Sequence, residues 1–342
     1  MSTTVQYKGN TLATVSGDTK TLKTSGKYME ADVILTDDSV DGDLLGYGTE
    51  ETLRTVLYTD GTLIINEKSS DIEANVAKHG EATNTYPACD RSTSNNPYNV
   101  SGINMQPWKN QKTSILNVEL GSVVKPIYGT RYWFYGFNNC LSIDLKGLDT
   151  SSIEYEKSMF GMFNGCNNLT SLDLGDKFDT SAVTNMNSMF NGCKVLTSLD
   201  LGDKFDTSSV TNMNGMFYNC YALASLNLGD EFNTSAVTDM NSMFKNCSAL
   251  TSLDLGDKFD TSSVTSMSAM FNNCINLITI YAKLDFVLYA ESLTIFLDDK
   301  KLVGGNGTKY TDMTGPSYAV YARIDKAGAP GYFTDRSQKP VS

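Results

Sequence analysis

The chain has little of what catalysis usually requires. Among its 342 residues a single histidine occurs, His79, and no HExxH, P-loop or CxxC pattern is present. A serine or cysteine nucleophile needs a base that is itself held by a third group. His79 instead stands beside Gly80 at the predicted end of a short helix, where an imidazolium complements the helix C-terminus. The sequence therefore predicts a protein that is not an enzyme and uses no cofactor.

Positive charge and long apolar runs are also scarce. Lys and Arg number 27 against 39 Asp and Glu, and the resulting net charge of −12 argues against a nucleic-acid partner, because a phosphate backbone would be repelled. No run of about 18 apolar residues occurs, so no membrane span is predicted. The first residues, MSTTVQYKGNTLATVSG, contain neither a basic nor an apolar segment, and we expect no secretory signal there.

The seven cysteines give no obvious disulfide framework, because Cys89 and Cys140 lie outside a register that the other five share. Those five are Cys166, Cys193, Cys220, Cys247 and Cys274. Buried cysteine behaves as a small hydrophobic residue. We therefore expect a column of reduced thiols in a core, rather than disulfides or a metal column, in a chain that folds in a reducing cytoplasm.

What the chain does have is repetition, with a period of 27 residues from Met162 to Ala282. Periods of roughly 20 to 50 residues are typical of solenoids, whose units bury their apolar faces against their neighbours. Each copy contains a stretch such as LTSLDL that fits the L-x-x-L-x-L strand template. A degenerate first copy, Trp133–Leu145, aligns on Met162–Leu174 with an offset of 29 residues.

The pattern predicts an α/β fold: a leucine-rich-repeat-like solenoid with a parallel sheet, preceded by small β-rich modules and closed by a C-terminal cap. Within a copy, Leu172 and Leu174 are expected to point inward and Asp173 outward, because side chains alternate along a strand. A short helical turn is expected to end at Gly192–Cys193.

Composition shifts divide the chain into four predicted parts. These are a β module over residues 1–44, an irregular α+β domain over 45–130, the solenoid over 131–283 and the cap over 284–342. Within the second part, Leu53–Asn66 is predicted to form a hairpin with Asp60-Gly61 at its turn.

Two resemblances extend this interpretation. The unit LTSLDLGDKFDTSAVTNMNSMFNGC (Leu169–Cys193), with the closing YARIDKAGAPGYFT, resembles the BspA-like leucine-rich repeats of bacterial surface proteins over roughly residues 131–334. That resemblance implies an adhesive, non-enzymatic role. The segment Tyr7–Asp37 is similar to short β modules in tail and fibre proteins of phages that infect Gram-positive bacteria, which implies attachment of residues 1–44 to virion tail proteins.

One candidate binding surface is an outward column in the predicted sheet. Its members are Asp144, Asp173, Asp200, Asn227 and Asp254, together with Tyr281. The column could meet a cationic group or a bridging Ca²⁺. The alternative is a solvated acidic face, because carboxylates about 5 Å apart in water repel by only roughly 0.8 kcal/mol.

A second candidate surface consists of positions that differ between copies around the cysteine. Residues that are identical in every copy are expected to make the same structural contacts in each coil. Residues that vary between copies are not required for those contacts. Lys194, Tyr218, Tyr221 and Lys245 are the candidate contact residues, since aromatic anchors carry interface energy. Neutral variation on a solvated edge is the alternative.

The sequence favours a phage or prophage tail-associated host-recognition protein that binds a bacterial surface protein or glycan through its solenoid, located in the virion. An exported adhesin on the bacterial cell surface is the alternative. A glycan-cleaving enzyme is a third possibility, because it requires only a close carboxylate pair in a cleft.

Overall fold

The computed structural model describes residues 53–87, 110–121, 123–126, 128–288, 294–312 and 318–340, together with four strands nearer the N-terminus. By its internal contacts the chain forms two compact units. One contains residues 1–89 and 119–122, and the other contains 90–118 and 123–342. Among the described residues no helix is both long and apolar enough to cross a bilayer. The predicted four-part division stays a prediction.

The first unit is built from antiparallel hairpins and one helix. Its elements are β1 (Thr3–Tyr7), β2 (Asn10–Val15), β3 (Lys20–Lys23), β4 (Asp32–Leu35), β5 (Leu53–Tyr58), β6 (Thr62–Lys68), α1 (Ile72–His79) and β7 (Ala82–Pro87). Strand β1 pairs with β2, β3 with β4, and β5 with both β6 and β7. Gly61 has a φ of 85° in the β5–β6 turn, where the Thr62 N–H donates to Asp60 Oδ1 at 2.8 Å. The predicted hairpin is confirmed.

The second unit stacks short parallel strands one coil above the next. They are β8 (Asn117–Leu120), β9 (Ser142–Asp144), β10 (Ser171–Asp173), β11 (Ser198–Asp200), β12 (Ser225–Asn227), β13 (Ser252–Asp254), β14 (Thr279–Ala282) and β15 (Phe333–Asp335). Asn117 and Val118 of β8 pair with β9, and β9–β10, β11–β12, β13–β14 and β14–β15 are further parallel pairs. Leu199 lies opposite Leu226, one period further on. The predicted parallel solenoid is confirmed.

The segment between strand and cysteine is a run of turns rather than the expected helical turn. Phe190 donates its N–H to the Met216 carbonyl of the next coil at 2.9 Å, whereas Cys193 donates to Phe190 three residues back at 3.2 Å. The Gly192 N–H again crosses to the next coil, to Tyr218 O at 2.8 Å. Because alternate N–H groups are used between coils, no i→i−4 ladder can form. Residues 128–288 contain no α-helix.

Aromatic columns fill the interior. The rings of Phe163 and Phe190 stack with centroids 5.3 Å apart and an interplanar angle of 5°. Phe217 and Phe244 continue the column at spacings of 5.5 and 5.4 Å. Together with Leu and Met side chains at repeated positions, these rings are buried. Each Phe ring contacts the equivalent Phe ring in the next coil. This explains why these core positions repeat without change.

The cysteines form the expected column of free, buried thiols. Cys140 and the five register cysteines are free, and Cys89 lies outside the described residues. The Cys220 thiol donates to the carbonyl of Phe190 at 3.2 Å, and the Cys247 thiol makes the same contact with Phe217 at 3.2 Å. Burial raises the pKa of Cys220 to about 12, so this thiol is protonated and unreactive at neutral pH.

Buried threonines join successive coils. The Thr207 hydroxyl donates to the Asn233 carbonyl at 2.7 Å and accepts from the Asn233 N–H at 2.8 Å. Thr234 makes the same pair of contacts with Asp260, both at 2.7 Å. Thr207 and Thr234 are completely buried. Each hydroxyl therefore satisfies both backbone groups of one residue in the following coil, which no apolar side chain could do.

The stacking continues past residue 283. Phe296 stacks on Phe271 at 5.5 Å and 3°, although only 25 residues separate the two. Three residues later Asp299 takes the place that cysteine has in the preceding coil, and its Oδ1 accepts the Cys274 N–H at 2.7 Å. Beyond this coil, β15 pairs with β14, and the Tyr332 ring meets the Phe296 ring edge-on at 5.3 Å.

Asp299 is completely buried, and its Oδ2 has no hydrogen-bond partner among the described residues. Burial raises the pKa of this carboxyl to about 8, with a smaller contribution from the neighbouring charge of Asp298. A folded-state pKa above the unfolded value means that the folded protein holds a proton which the unfolded chain has lost. The contribution of Asp299 to stability is therefore most favourable below about pH 4 and declines as the pH rises to about 8.

We expect Thr207→Val to lower the free energy of unfolding by about 1–3 kcal/mol, because it leaves the buried N–H and carbonyl of Asn233 without the hydroxyl. Thr211→Val is the matched control. Thr211 is exposed, and its hydroxyl shares the Thr184 carbonyl with its own N–H, so a change within about 0.5 kcal/mol is expected. Urea unfolding followed by circular dichroism measures both variants, and equal losses would contradict the role given to Thr207.

We expect Asp299→Asn to stabilise the protein increasingly as the pH rises from 4 to 8, reaching about 3 kcal/mol, because the unfolded wild-type chain gains free energy by ionising this carboxyl while burial keeps it protonated in the folded protein. Asparagine keeps an oxygen for the Cys274 N–H. The measurement is the difference in unfolding free energy between variant and wild type across that pH range. Asp203→Asn, at an exposed carboxylate in an earlier coil, is the control. A difference that is independent of pH would show that the Asp299 carboxyl does not titrate in this window.

Candidate binding surfaces of the solenoid

The aspartate column lies on the solvent side of the parallel strands, in register from coil to coil. Asp144 pairs with Asp173, and Asp200 pairs with Asn227. The β13–β14 register places the half-buried Tyr281 beside Asp254. The structure thus brings the predicted members of this column together.

Each member of the column closes the turn that follows its own strand. Asp173 Oδ1 accepts the Gly175 N–H at 3.0 Å. The same contact runs from Gly202 to Asp200 at 3.0 Å and from Gly256 to Asp254 at 3.0 Å, and in the other two coils from Lys146 to Asp144 and from Gly229 to Asn227. An asparagine oxygen serves as well as a carboxylate for this contact, which explains why Asn227 can replace aspartate. The column therefore has an architectural role that the sequence analysis did not assign to it.

The charge of the column is balanced within the chain at two places. Lys146 Nζ lies 3.1 Å from both Asp144 and Asp173. The hydrogen bonds that Lys146 donates to Asp173 and Asp144 raise its pKa. Lys146, Asp144 and Asp173 thus form one exposed cluster with a net charge of −1. A solvated, partly self-neutralised face fits this geometry.

At the other end the cap supplies the cations. Arg336 Nε lies 2.7 Å from Asp254 Oδ1, and Lys339 Nζ lies 2.6 Å from Oδ2. Burial alone would raise the pKa of Asp254, but the hydrogen bonds from Arg336, Lys339 and the Gly256 N–H together lower it. Among the described residues no three His, Cys, Asp or Glu side chains come together as metal ligands. Cations of the chain itself thus lie beside three of the four carboxylates of the column, Asp144, Asp173 and Asp254. A bridging Ca²⁺ stays a prediction.

The variable positions form a second surface on the turn around the cysteine. We call it the cysteine-turn face and define it as residues 135–142, 164–171, 191–198, 218–225, 245–252 and 272–279. Lys194 is exposed, Tyr221 is 42% exposed, and Tyr218 and Lys245 are partly exposed. The Lys245 Nζ stands 5.8 Å from the centre of the Tyr218 ring, one coil away, within reach of a cation–π contact. The structure therefore places the four predicted contact residues on one surface.

A row of asparagine amides runs through this face. The amide of Asn246 donates to Asn219 Oδ1 at 2.7 Å, and that of Asn273 donates to Asn246 Oδ1 at 2.9 Å. The Tyr221 hydroxyl also donates to Asn219 Oδ1, at 2.9 Å. The backbone at Asn219 is left-handed, with φ of 63°, and glycine takes the same position in the preceding coil, at Gly192 with φ of 76°. Asparagine and glycine tolerate this conformation best. The recurrence of Asn or Gly at this position of the repeat is therefore a sequence feature from which the left-handed turn could be predicted.

His79, the one histidine, is held within the first unit. Its Nδ1 lies 2.8 Å from Asp60 Oδ2 in the β5–β6 turn, its Nε2 lies 4.0 Å from Glu119, and its side chain is 6% exposed. Burial raises the pKa of Asp60, but hydrogen bonds from His79 and Thr62 bring it below its ordinary value. Among the described residues no hydroxyl or thiol is hydrogen-bonded to this imidazole. The contact ties α1 to the hairpin, a partnership that the sequence analysis missed.

We expect Asp200→Ala to lower the free energy of unfolding by about 0.5–2 kcal/mol, because the Gly202 N–H loses its side-chain acceptor, by analogy with the loss of a helix cap. Asp200→Asn keeps the acceptor and reproduces the natural state of the next coil, so we expect it to stay within about 0.5 kcal/mol of wild type. Thermal or urea unfolding separates the two. If both variants lost stability equally, the carboxylate charge rather than the turn contact would be the important feature.

Comparison with known proteins shows what the repeats are similar to. Residues 130–251 and 197–286 match the family described as "Mycoplasma protein of unknown function, DUF285". A leucine-rich-repeat protein from Bacteroides ovatus is 14% identical, with a TM-score of 0.35, covering 65% of this chain and 59% of its own. The leucine-rich-repeat protein of T. pallidum is 15% identical, with a TM-score of 0.25, covering 73% and 77%. No curated protein matches the chain. Residues 130–286 are thus similar to the DUF285 family.

Proposed function

We propose that this protein is a non-enzymatic binding protein and that its solenoid holds a ligand of the bacterial surface on the cysteine-turn face. The observation that carries this proposal is the contrast between an unchanging core and a changing surface. Thr207, Phe217 and Cys220 repeat from coil to coil and make inter-coil contacts that are repeated along the stack, whereas Tyr221 is Lys in one neighbouring coil and Ser in the other.

The exposed variable side chains contribute little to holding the coils together. At Lys194 and Tyr221 the coils are joined through backbone groups, as by the bond from the Ala222 N–H to the Lys194 carbonyl at 3.1 Å, whereas the asparagine row and Ser248 add side-chain bonds between coils elsewhere on the face. Lys194 and Tyr221 can therefore differ without cost to the fold. Solenoids present long, regular surfaces that bind other molecules, and exposed tyrosines are effective anchors on such surfaces.

A more specific form of the proposal places the protein in a phage or prophage tail. The similarity of Tyr7–Asp37 to tail and fibre modules supports it, and the hairpins β1–β2 and β3–β4 give this segment the β-structure that such modules have. In this arrangement residues 1–44 attach to tail proteins, and the solenoid meets the host cell. The protein is then a virion component.

The second candidate is an adhesin on the bacterial cell surface. The resemblance of residues 131–334 to BspA-like repeats favours it, because the relatives with such repeats are mostly extracellular adhesion proteins. The two candidates share the binding surface and differ in what carries it.

Binding to cells tests the shared proposal. Fluorescently labelled full-length protein is titrated onto a panel of bacteria that includes the strain encoding it. We expect saturable binding, and we expect Tyr218→Ala combined with Tyr221→Ala to weaken it at least tenfold. Thr211→Ala combined with Thr238→Ala, at exposed positions outside the cysteine-turn face, is the matched control and should bind as wild type. Binding to no member of the panel, or equal effects of the two double variants, would contradict the proposal.

Fractionation separates the two carriers. After prophage induction, mass spectrometry of purified particles should contain this chain in stoichiometric amounts if it belongs to a tail. Its presence only in cell-wall fractions of uninduced cells would instead favour the adhesin.

A further inference from the structure

The cysteine-turn face has an unusual charge composition for this chain. The protein contains 39 Asp and Glu residues, yet not one of them falls in the six segments 135–142, 164–171, 191–198, 218–225, 245–252 and 272–279. The acidic residues of each coil lie instead on the strand and on the turn after it, as Asp200, Asp203 and Asp206 do in one coil. Negative charge thus begins at the strand, two residues beyond the end of the segment, and continues on the turn after it.

Positive charge, amides and isolated apolar side chains remain on the face. Lys194 and Lys245 stand two coils apart, and the Lys112 Nζ lies 5.6 Å from the centre of the Tyr135 ring of the first segment. Several large apolar or aromatic side chains are exposed there, and each except Val195 is followed directly by Ser, Ala, Asn or Thr. They are Leu141 (47%), Val195 (38%), Tyr221 (42%), Ile275 (45%) and Ile278 (45%). The face therefore offers hydrogen-bonding groups, small apolar contacts and cations, without a repelling carboxylate.

We propose that the cysteine-turn face binds an anionic glycan, a saccharide chain that carries carboxylate or phosphate groups; this inference rests on the proposed function. A sugar presents hydroxyl edges and apolar C–H faces in alternation, and exposed aromatic rings interleaved with amide and hydroxyl side chains complement both. The ligand's anionic groups meet Lys194 and Lys245, and the absence of carboxylates from the six segments lowers the local repulsion that an anion meets on this acidic protein.

The composition favours a glycan over a protein partner. The centres of protein–protein interfaces are apolar and rich in aromatic residues, Met and Arg, and poor in Lys and Ser. Here single apolar side chains are dispersed among polar ones, and Ser or Thr occurs in each of the six segments.

The groups are already held in place before a ligand arrives. Asn219 accepts from both the Tyr221 hydroxyl and the Asn246 amide, and Lys245 lies over the Tyr218 ring. Side chains fixed in this way lose less freedom on binding. The backbone beneath them is fixed by inter-coil hydrogen bonds, such as that from the Asn219 N–H to the Lys245 carbonyl at 3.0 Å.

Charge reversal on two faces of the full-length protein tests the inference. Lys194→Glu combined with Lys245→Glu should weaken binding to cells at least tenfold. Lys177→Glu combined with Lys204→Glu changes the same total charge at exposed lysines on the acidic side of the coils and should leave binding within twofold of wild type. Circular dichroism and melting temperature establish that both variants are folded. The probe is a bacterial strain that binds the wild-type protein, and the titration is repeated at several salt concentrations.

The chemical nature of the ligand is tested on the same cells. Periodate, which cleaves vicinal diols in sugars, should abolish binding, and protease treatment should leave it intact. Amidation of carboxylates or removal of phosphate by cold hydrofluoric acid should weaken binding, and the more effective treatment tells which anion the glycan carries. Loss of binding after protease alone identifies a protein ligand and overturns the inference. Equal effects of the two charge reversals also overturn it. In both cases the cells still bind the wild-type protein, so the proposed function stands; only a failure of wild-type protein to bind any cell would overturn that proposal as well.

Discussion

The structure depends on backbone hydrogen bonds that run from one coil to the next. They are concentrated at three places in each coil: the short strand, the buried threonine and the turn before the cysteine. The Thr207 hydroxyl strengthens this connection, because one side chain hydrogen-bonds directly to both backbone groups of Asn233 in the next coil. The Phe and Cys columns follow from it, since parallel coils in register bring each residue onto its own equivalent.

This constraint also separates architecture from recognition. Residues that look chemically interesting in sequence, the aspartates of the strand column above all, are engaged in closing turns and in pairing with Lys146, Arg336 and Lys339. The residues that have freedom to vary are those whose side chains stand outside the inter-coil contacts. On a repeat protein, a surface column that repeats is therefore weak support for a binding role, and a column that varies is stronger support.

Much of the fold was accessible from the sequence because the period imposes it. The inward Leu, Phe and Cys positions, the parallel strands and the hairpin at Asp60-Gly61 follow from spacing and turn chemistry alone. The helical turn was predicted wrongly, because Val183, Met186, Met189 and Phe190 have helix-like spacing. That spacing reflects the inward side of successive turns, whose alternate N–H groups are used by the next coil.

The partnerships between distant, non-repeated residues were not accessible. Nothing in the local sequence connects Asp254 with Arg336 and Lys339, more than eighty residues away, or His79 with Asp60. The clustering of the variable residues could be predicted, because copies of one unit place equivalent positions side by side.

The carboxyl at residue 299 has a consequence for the length of the solenoid. A stack of identical coils has no intrinsic reason to end, and an open end that matched its own beginning would join molecules head to tail into filaments. In place of the thiol of every full copy, the final coil has Asp299, and beyond it the Tyr332 and Phe333 rings cover the Phe296 ring. A further coil would have to displace those rings to reach the stack. A few unrepeated residues, Asp299, Tyr332 and Phe333, thus end the stack of coils. Whole coils could be added to or removed from the solenoid while these end residues stay the same.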